Sequence, residues 1–76
     1  QVFVRGLDGK TLVFPVPLSA TALELKDAIR SKTGVRPKAQ VLTFAGQVLR
    51  GNKTLADYNI ARDATITLSL RLRGGV

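Results

Sequence analysis

The chain predicts an α+β fold in which one main helix packs across a mixed sheet. Three features carry that reading: two alternating runs around an Asp-Gly step, a capped amphipathic helix, and a last alternating run over residues 65–71. At 76 residues the chain is one small domain, near the lower limit for a self-sufficient hydrophobic core. No internal repeat or low-complexity segment interrupts it.

The first run, Gln1 to Arg5, alternates and puts Val2 and Val4 on one face. Gly6-Leu7-Asp8-Gly9 follows, and its Asp-Gly step is a strong hairpin signal. Thr11 to Pro17 alternates again, with Leu12, Phe14 and Val16 together. Pro15 and Pro17 fall on the other parity and have no N–H to donate. In an antiparallel strand, residues of one parity direct both backbone groups to the same side. The prolines therefore place this strand at a sheet edge whose open side carries positions 13, 15 and 17. A final strand beside the first is then central. Thr21-Ala22-Leu23-Glu24 is a capping box with Thr21 as N-cap. Ala22, Leu25 and Ile29 recur at helical spacing. Lys32 suits the helix C-terminus, Gly34 the position just past it, and Pro37 prevents continuation. Gln40 to Phe44 reads as a short strand, Ala45-Gly46 as a turn, and Gln47 to Leu49 as another short strand. Gly51-Asn52 is a loop, and Thr54 to Tyr58 one helical turn. Thr65 to Arg71 is the last strand, with Ile66, Leu68 and Leu70 on one parity.

Composition is that of a globular protein, 45% hydrophobic and 22% charged. Cysteine and histidine are both absent. The first absence removes any disulfide framework and thiol nucleophile. The second removes the usual general base and the commonest metal ligand. The acids Asp8, Glu24, Asp27, Asp57 and Asp63 carry no catalytic signature, so a non-enzyme without metal or cofactor is expected. No apolar stretch reaches membrane-spanning length and no signal peptide is visible, which points to a monomer of the cytoplasm or nucleus. The net charge of +7 is unevenly placed. Between Asp27 and Asp57 stand Arg30, Lys32, Arg36, Lys38, Arg50 and Lys53, with no acid among them. Such a field favours an acidic protein surface or RNA, though an ordinary solvated surface has the same signature. With three Phe and one Tyr there is little to stack bases on, so RNA binding through phosphates would be weak and salt-sensitive.

The chain closes on Leu70-Arg71-Leu72-Arg73-Gly74-Gly75-Val76. Gly74 and Gly75 have no Cβ, so an extended tail here can thread a groove that excludes larger residues. Leu72 can fill a pocket, and Arg71 and Arg73 can meet carboxylates with two donors each. Six extended residues reach roughly 20 Å, enough to enter an active site while the domain stays outside. Taken alone, the same run also reads as a frayed terminus.

Read with the rest of the chain, the tail resembles that of the ubiquitin family. The likeness runs colinearly through Phe3-Val4, Leu7, Gly9-Lys10-Thr11, Phe44-Ala45-Gly46, Thr54-Leu55, Asp57-Tyr58-Asn59-Ile60 and Leu70 to Gly75. It implies a β-grasp domain over residues 1–70, a flexible tail over 71–76, and a core of Val2, Val4, Leu12, Phe14, Val16, Leu25, Ile29, Leu42, Leu49, Leu55, Ile60, Ile66 and Leu68. Tyr58 resembles a family residue whose hydroxyl ties down the neighbouring loop.

The departures bear on function. The family's main recognition face is an apolar patch, and the matching positions here are Leu7, Thr43, Thr67 and Ser69. Burying a hydroxyl without a partner costs roughly 1–3 kcal/mol, so this surface resists apolar receptors. A second apolar patch, Val35 with Leu70 and Leu72, remains, as does an exposed Phe3. Of the positions used for chain building, four carry Arg5, Ala28, Gln47 and Arg62, while Lys10, Lys26 and Lys32 remain as linkage candidates. Arginine keeps its proton and cannot replace lysine as an acyl acceptor.

The resemblance implies a modifier or processed leader, akin to ubiquitin-like leaders fused ahead of ribosomal proteins. A deubiquitinase-type protease would cut after Gly75, leaving Val76 to begin the departing segment. Activating and conjugating enzymes could then join the freed glycine carboxylate to a lysine by an isopeptide bond. The alternative is a non-covalent interaction domain of a larger protein. A start at Gln1 without an initiator Met reads as a trimmed boundary and suits that alternative. A basic RNA-binding domain with an Arg-Gly-Gly tail is the third reading.

Overall fold

Four paired strand contacts and one helix account for the fold, seen in a computed structural model that describes residues 1–71. Strands β1 (Val2–Arg5) and β2 (Thr11–Phe14) pair antiparallel, with Val2 opposite Phe14 and Arg5 opposite Thr11. The turn between them closes as Gly6 donates its N–H to the Lys10 carbonyl at 2.7 Å. Asp8 Oδ1 accepts the Lys10 N–H at 3.0 Å, an Asx turn. β2 is an edge strand, as expected, although Pro15 and Pro17 lie beyond its end. It is shorter than the expected Thr11–Pro17, because β1 begins at Val2 and leaves nothing to pair beyond Phe14. The open edge faces Lys32, whose Nζ donates to the Val13 carbonyl at 3.3 Å.

Helix α1 (Ala22–Thr33) has each of its first N–H groups satisfied. Ala22 and Leu23 donate to the carbonyls of Lys53 and Gly51 at 3.0 and 3.2 Å. Glu24 donates to Thr21 Oγ1, and Glu24 Oε1 in return accepts the Thr21 N–H at 3.0 Å. That is the capping box read from the sequence. Gly34 ends the helix at φ 80° in the left-handed region, its N–H on the Arg30 carbonyl. Pro37 does more than stop the helix: it opens a 3₁₀ turn, Pro37–Ala39, that leads into β3 (Gln40–Phe44). Ala45 and Gly46, at φ 52° and 79°, make the tight hairpin to β4 (Gln47–Val48). A second 3₁₀ turn, Ala56–Tyr58, precedes β5 (Thr65–Leu70).

The five strands lie in the order β2-β1-β5-β3-β4. β5 is central, parallel to β1 and antiparallel to β3. A mixed five-stranded sheet crossed by one helix is the β-grasp arrangement. Val2, Val4, Phe14, Leu42, Ile66 and Leu68 of the sheet meet Leu25 and Ile29 of α1 in a single buried cluster. Leu12 and Val16 are half-buried at its rim, whereas Ala20, Ala22 and Tyr58 are buried. Gln40 is the buried polar residue among those described. Its Nε2 donates to the carbonyls of Lys26 and Val35 at 2.8 and 2.9 Å, tying β3 to the helix end.

Candidate partner-binding surfaces and the C-terminal exit

Alternation along the strands puts Arg5, Thr11, Thr43, Val48 and Thr67 on the outer face of the sheet. There the register aligns Thr11, Arg5, Thr67, Thr43 and Val48 in one row across all five strands. Thr67 and Ser69 are exposed and Thr43 is half-buried. The centre of this face is therefore hydroxylated, with an arginine beside it and an exposed valine at its far end. Phe3 was expected exposed and is half-buried. Its direct neighbours, Val13 on β2 and Thr65 on β5, cover its flanks.

Leu7 stands apart from that row, 51% exposed in the β1–β2 turn. It lines an apolar cleft of about 270 Å³ with Leu12, Val35 and Leu68. The structure thus brings Leu7 to Val35, which the family resemblance implies belong to separate patches. Leu70, on the parity of Ile66 and Leu68 but at the strand end, is 46% exposed.

The three candidate linkage lysines have different surroundings. Lys10 is exposed beside the β1–β2 turn. Lys32 is exposed, but its ammonium lies 5.4 Å from the centre of the Phe14 ring and bonds the β2 edge. Lys26 is half-buried. Burial pushes its pKa down from the ordinary 10.5, and the positive charges of Arg71 and Arg50 push it in the same direction.

Arg71 is the last of the described residues. Its N–H donates to the Ala39 carbonyl at 2.7 Å, carrying the β3–β5 ladder one residue beyond Leu70. Leu72, Arg73, Gly74, Gly75 and Val76 lie outside the described residues. Arg71 also lines a cleft of about 520 Å³ with Lys26, Arg36, Pro37, Lys38 and Ala39. The one-dimensional charge pattern showed a basic stretch but not this convergence, which depends on the 3₁₀ turn. The Arg-Pro-Lys run at 36–38 was the available signal. Among the described residues no group of three or more His, Cys, Asp or Glu is placed to hold a metal ion. No helix among them is long and apolar enough to cross a membrane.

Sequence comparison settles the family. The ubiquitin family model matches residues 2–73. The chain belongs to the ubiquitin family. The NEDD8-like protein RUB3 of Arabidopsis thaliana is 31% identical over 75 residues, covering 99% of this chain and 96% of that protein. Splicing factor 3A subunit 1 of Homo sapiens is 38% identical over 69 residues, 91% of this chain. The large proline-rich protein bag6 of Xenopus tropicalis is 38% identical over 60 residues, 79% of this chain. The ubiquitin-like domain spans only 9% of that splicing factor and 5% of that bag6 protein. Within the family frame the Tyr58 hydroxyl has its expected place, accepting the Arg50 N–H at 2.6 Å.

Proposed function

We propose that this ubiquitin-like domain is a modifier or processed leader, released by cleavage after Gly75 and able to be conjugated through the freed carboxylate. The observation that carries the reading is the match to a NEDD8-like protein over nearly the full length of both chains. Support comes from the sequence Leu70 to Gly75, which begins on the last residue of the central strand. A processing protease would grip that segment extended, admit the glycines through a constriction, and release the segment beginning at Val76. Adenylation of the Gly75 carboxylate, thioester formation and transfer to a lysine would be the work of partner enzymes. The ubiquitin-like domain supplies the tail and the surface that those enzymes hold.

The test is a cleavage assay on a version extended beyond Val76. Cleavage after Gly75 is expected, and Gly75→Ala blocks it because the added methyl collides where the protease closes on the scissile residue. Arg71→Ala slows cleavage less, removing a charge-assisted contact worth about 1.5–3 kcal/mol without obstructing the groove. If the extended protein stays intact where a ubiquitin fusion is cut, the reading fails.

A second reading has its own support. In splicing factor 3A subunit 1 and bag6 the matching segment is a small part of a long protein. The same ubiquitin-like domain would then be a permanent, non-covalent interaction module, and the extended chain would resist cleavage.

A further inference from the structure

Helix α1, the Pro37–Ala39 turn and the end of β5 meet around the 520 Å³ cleft. Four of its six lining residues are cations, Lys26, Arg36, Lys38 and Arg71, and none is an acid. A neighbouring opening is lined by Leu23, Arg30, Arg36, Pro37 and Lys38. The two share the wall Arg36-Pro37-Lys38, so one basic track runs from Arg30 on the helix to Arg71 just past β5.

The backbone under this track is held in place before any ligand arrives. Ala39 donates to the Arg36 carbonyl at 2.9 Å and accepts from Arg71 at 2.7 Å. The Lys26 carbonyl accepts from the buried Gln40 amide. Lys26 is half-buried while Arg36, Lys38 and Arg71 are exposed, and its charged form is disfavoured first by burial and then by Arg71 and Arg50. An anion seated there relieves like-charge repulsion that the fold otherwise sustains.

We propose that this cleft docks an acidic peptide, an extended Asp- and Glu-rich segment of a partner protein. Carboxylates on flexible stems reach a recessed ammonium, and arginine forks take them with two parallel hydrogen bonds. Pro37, Ala39 and Leu23 offer apolar wall to the methylenes of those stems. A nucleic acid fits less well. The lining contains no aromatic side chain on which bases could stack, and the phosphates of a duplex sit on a convex surface that does not enter a cleft. The proposal does not rest on tail cleavage: Arg71 is shared with the segment a protease would grip, but Arg36 and Lys38, which the variants test, lie outside it.

The probe is a synthetic (Glu-Ala) repeat peptide, titrated into the isotope-labelled domain and followed by amide chemical shifts. Saturable shifts at Lys26, Arg36, Lys38, Ala39 and Arg71 are expected, with affinity falling as salt rises. The double variant Arg36→Glu/Lys38→Glu, both on exposed side chains, should lose about tenfold or more in affinity. Arg36→Ala/Lys38→Ala should lose less, in the same direction. Lys10→Glu/Arg62→Glu makes the same net-charge change elsewhere and should lose less than about threefold. Equal losses from both charge-reversed doubles, absence of shifts at the cleft, or tighter binding of an oligouridine than of the peptide would each overturn the proposal.

Discussion

Tyr58→Phe isolates one hydrogen bond whose loss should be felt by the whole domain. Tyr58 is 7% exposed, and its hydroxyl takes the Arg50 N–H at 2.6 Å, anchoring the loop that follows β4. Phenylalanine keeps the ring under the Lys53 ammonium, 5.9 Å from its centre, and keeps the backbone carbonyl that accepts from Gln47 Nε2. What changes is that the Arg50 N–H loses its acceptor. An unpaired buried donor costs about 1–3 kcal/mol. The site is only part-buried, so water recovers some of this and the expected loss is about 1–2 kcal/mol. At about 4–8 °C per kcal/mol for a domain of this size, Tm should fall by roughly 5–15 °C. Calorimetry measures the loss, and amide exchange locates it: the Arg50 N–H should exchange faster while Leu42 and Ile66 in the core open only globally. An unchanged Tm with an unchanged Arg50 exchange rate would show that the hydroxyl does not hold the loop.

Three further outcomes are expected. Receptors that bind the apolar patch of ubiquitin should bind this domain at least about tenfold more weakly, a difference of about 1.4 kcal/mol, and Thr43→Ile should recover part of it; equal affinity by titration against both proteins would refute this. Thr21→Ala should cost about 1 kcal/mol by chemical denaturation, since Glu24 loses its cap at one end of α1. Asp57, held by Thr54 through hydrogen bonds and favoured by Lys53, has its pKa below the ordinary 3.8; its contribution is therefore complete above that value and lost as pH falls through the depressed one, so Asp57→Asn should flatten the acid side of the stability–pH profile.

The parts of the fold legible in the sequence are those set by local rules. Proline parity pointed to an edge strand after Thr11, and the edge placement agrees, although β2 stops at Phe14 before either proline. The spacing of Thr21 and Glu24 marked the helix start because the capping box is closed within four residues. What escaped depends on residues distant in sequence. Gln40 has an ordinary polar side chain, and its burial follows from two carbonyls on other segments, Lys26 and Val35. Phe3 is half-covered by neighbours on β2 and β5 that only the register reveals. The basic cleft needs the Pro37–Ala39 turn to bring Arg36 and Lys38 towards Lys26 and Arg71. The Arg-Pro-Lys run at 36–38 marks two of these cations, but their approach to Lys26 and Arg71 is set by the fold. Thr43 and Thr67 were grouped only through the family resemblance, and that they lie side by side follows from the β3–β5 register.

The most direct measurement is the intact mass of the ubiquitin-like domain recovered from cells that express it with an N-terminal tag and a folded extension beyond Val76. Cleavage predicts a product ending at Gly75, together with larger species in which Gly75 is linked to a lysine of another protein. A product that keeps the whole extension, with no such linked species, would contradict the processed-modifier account and favour the permanent interaction module.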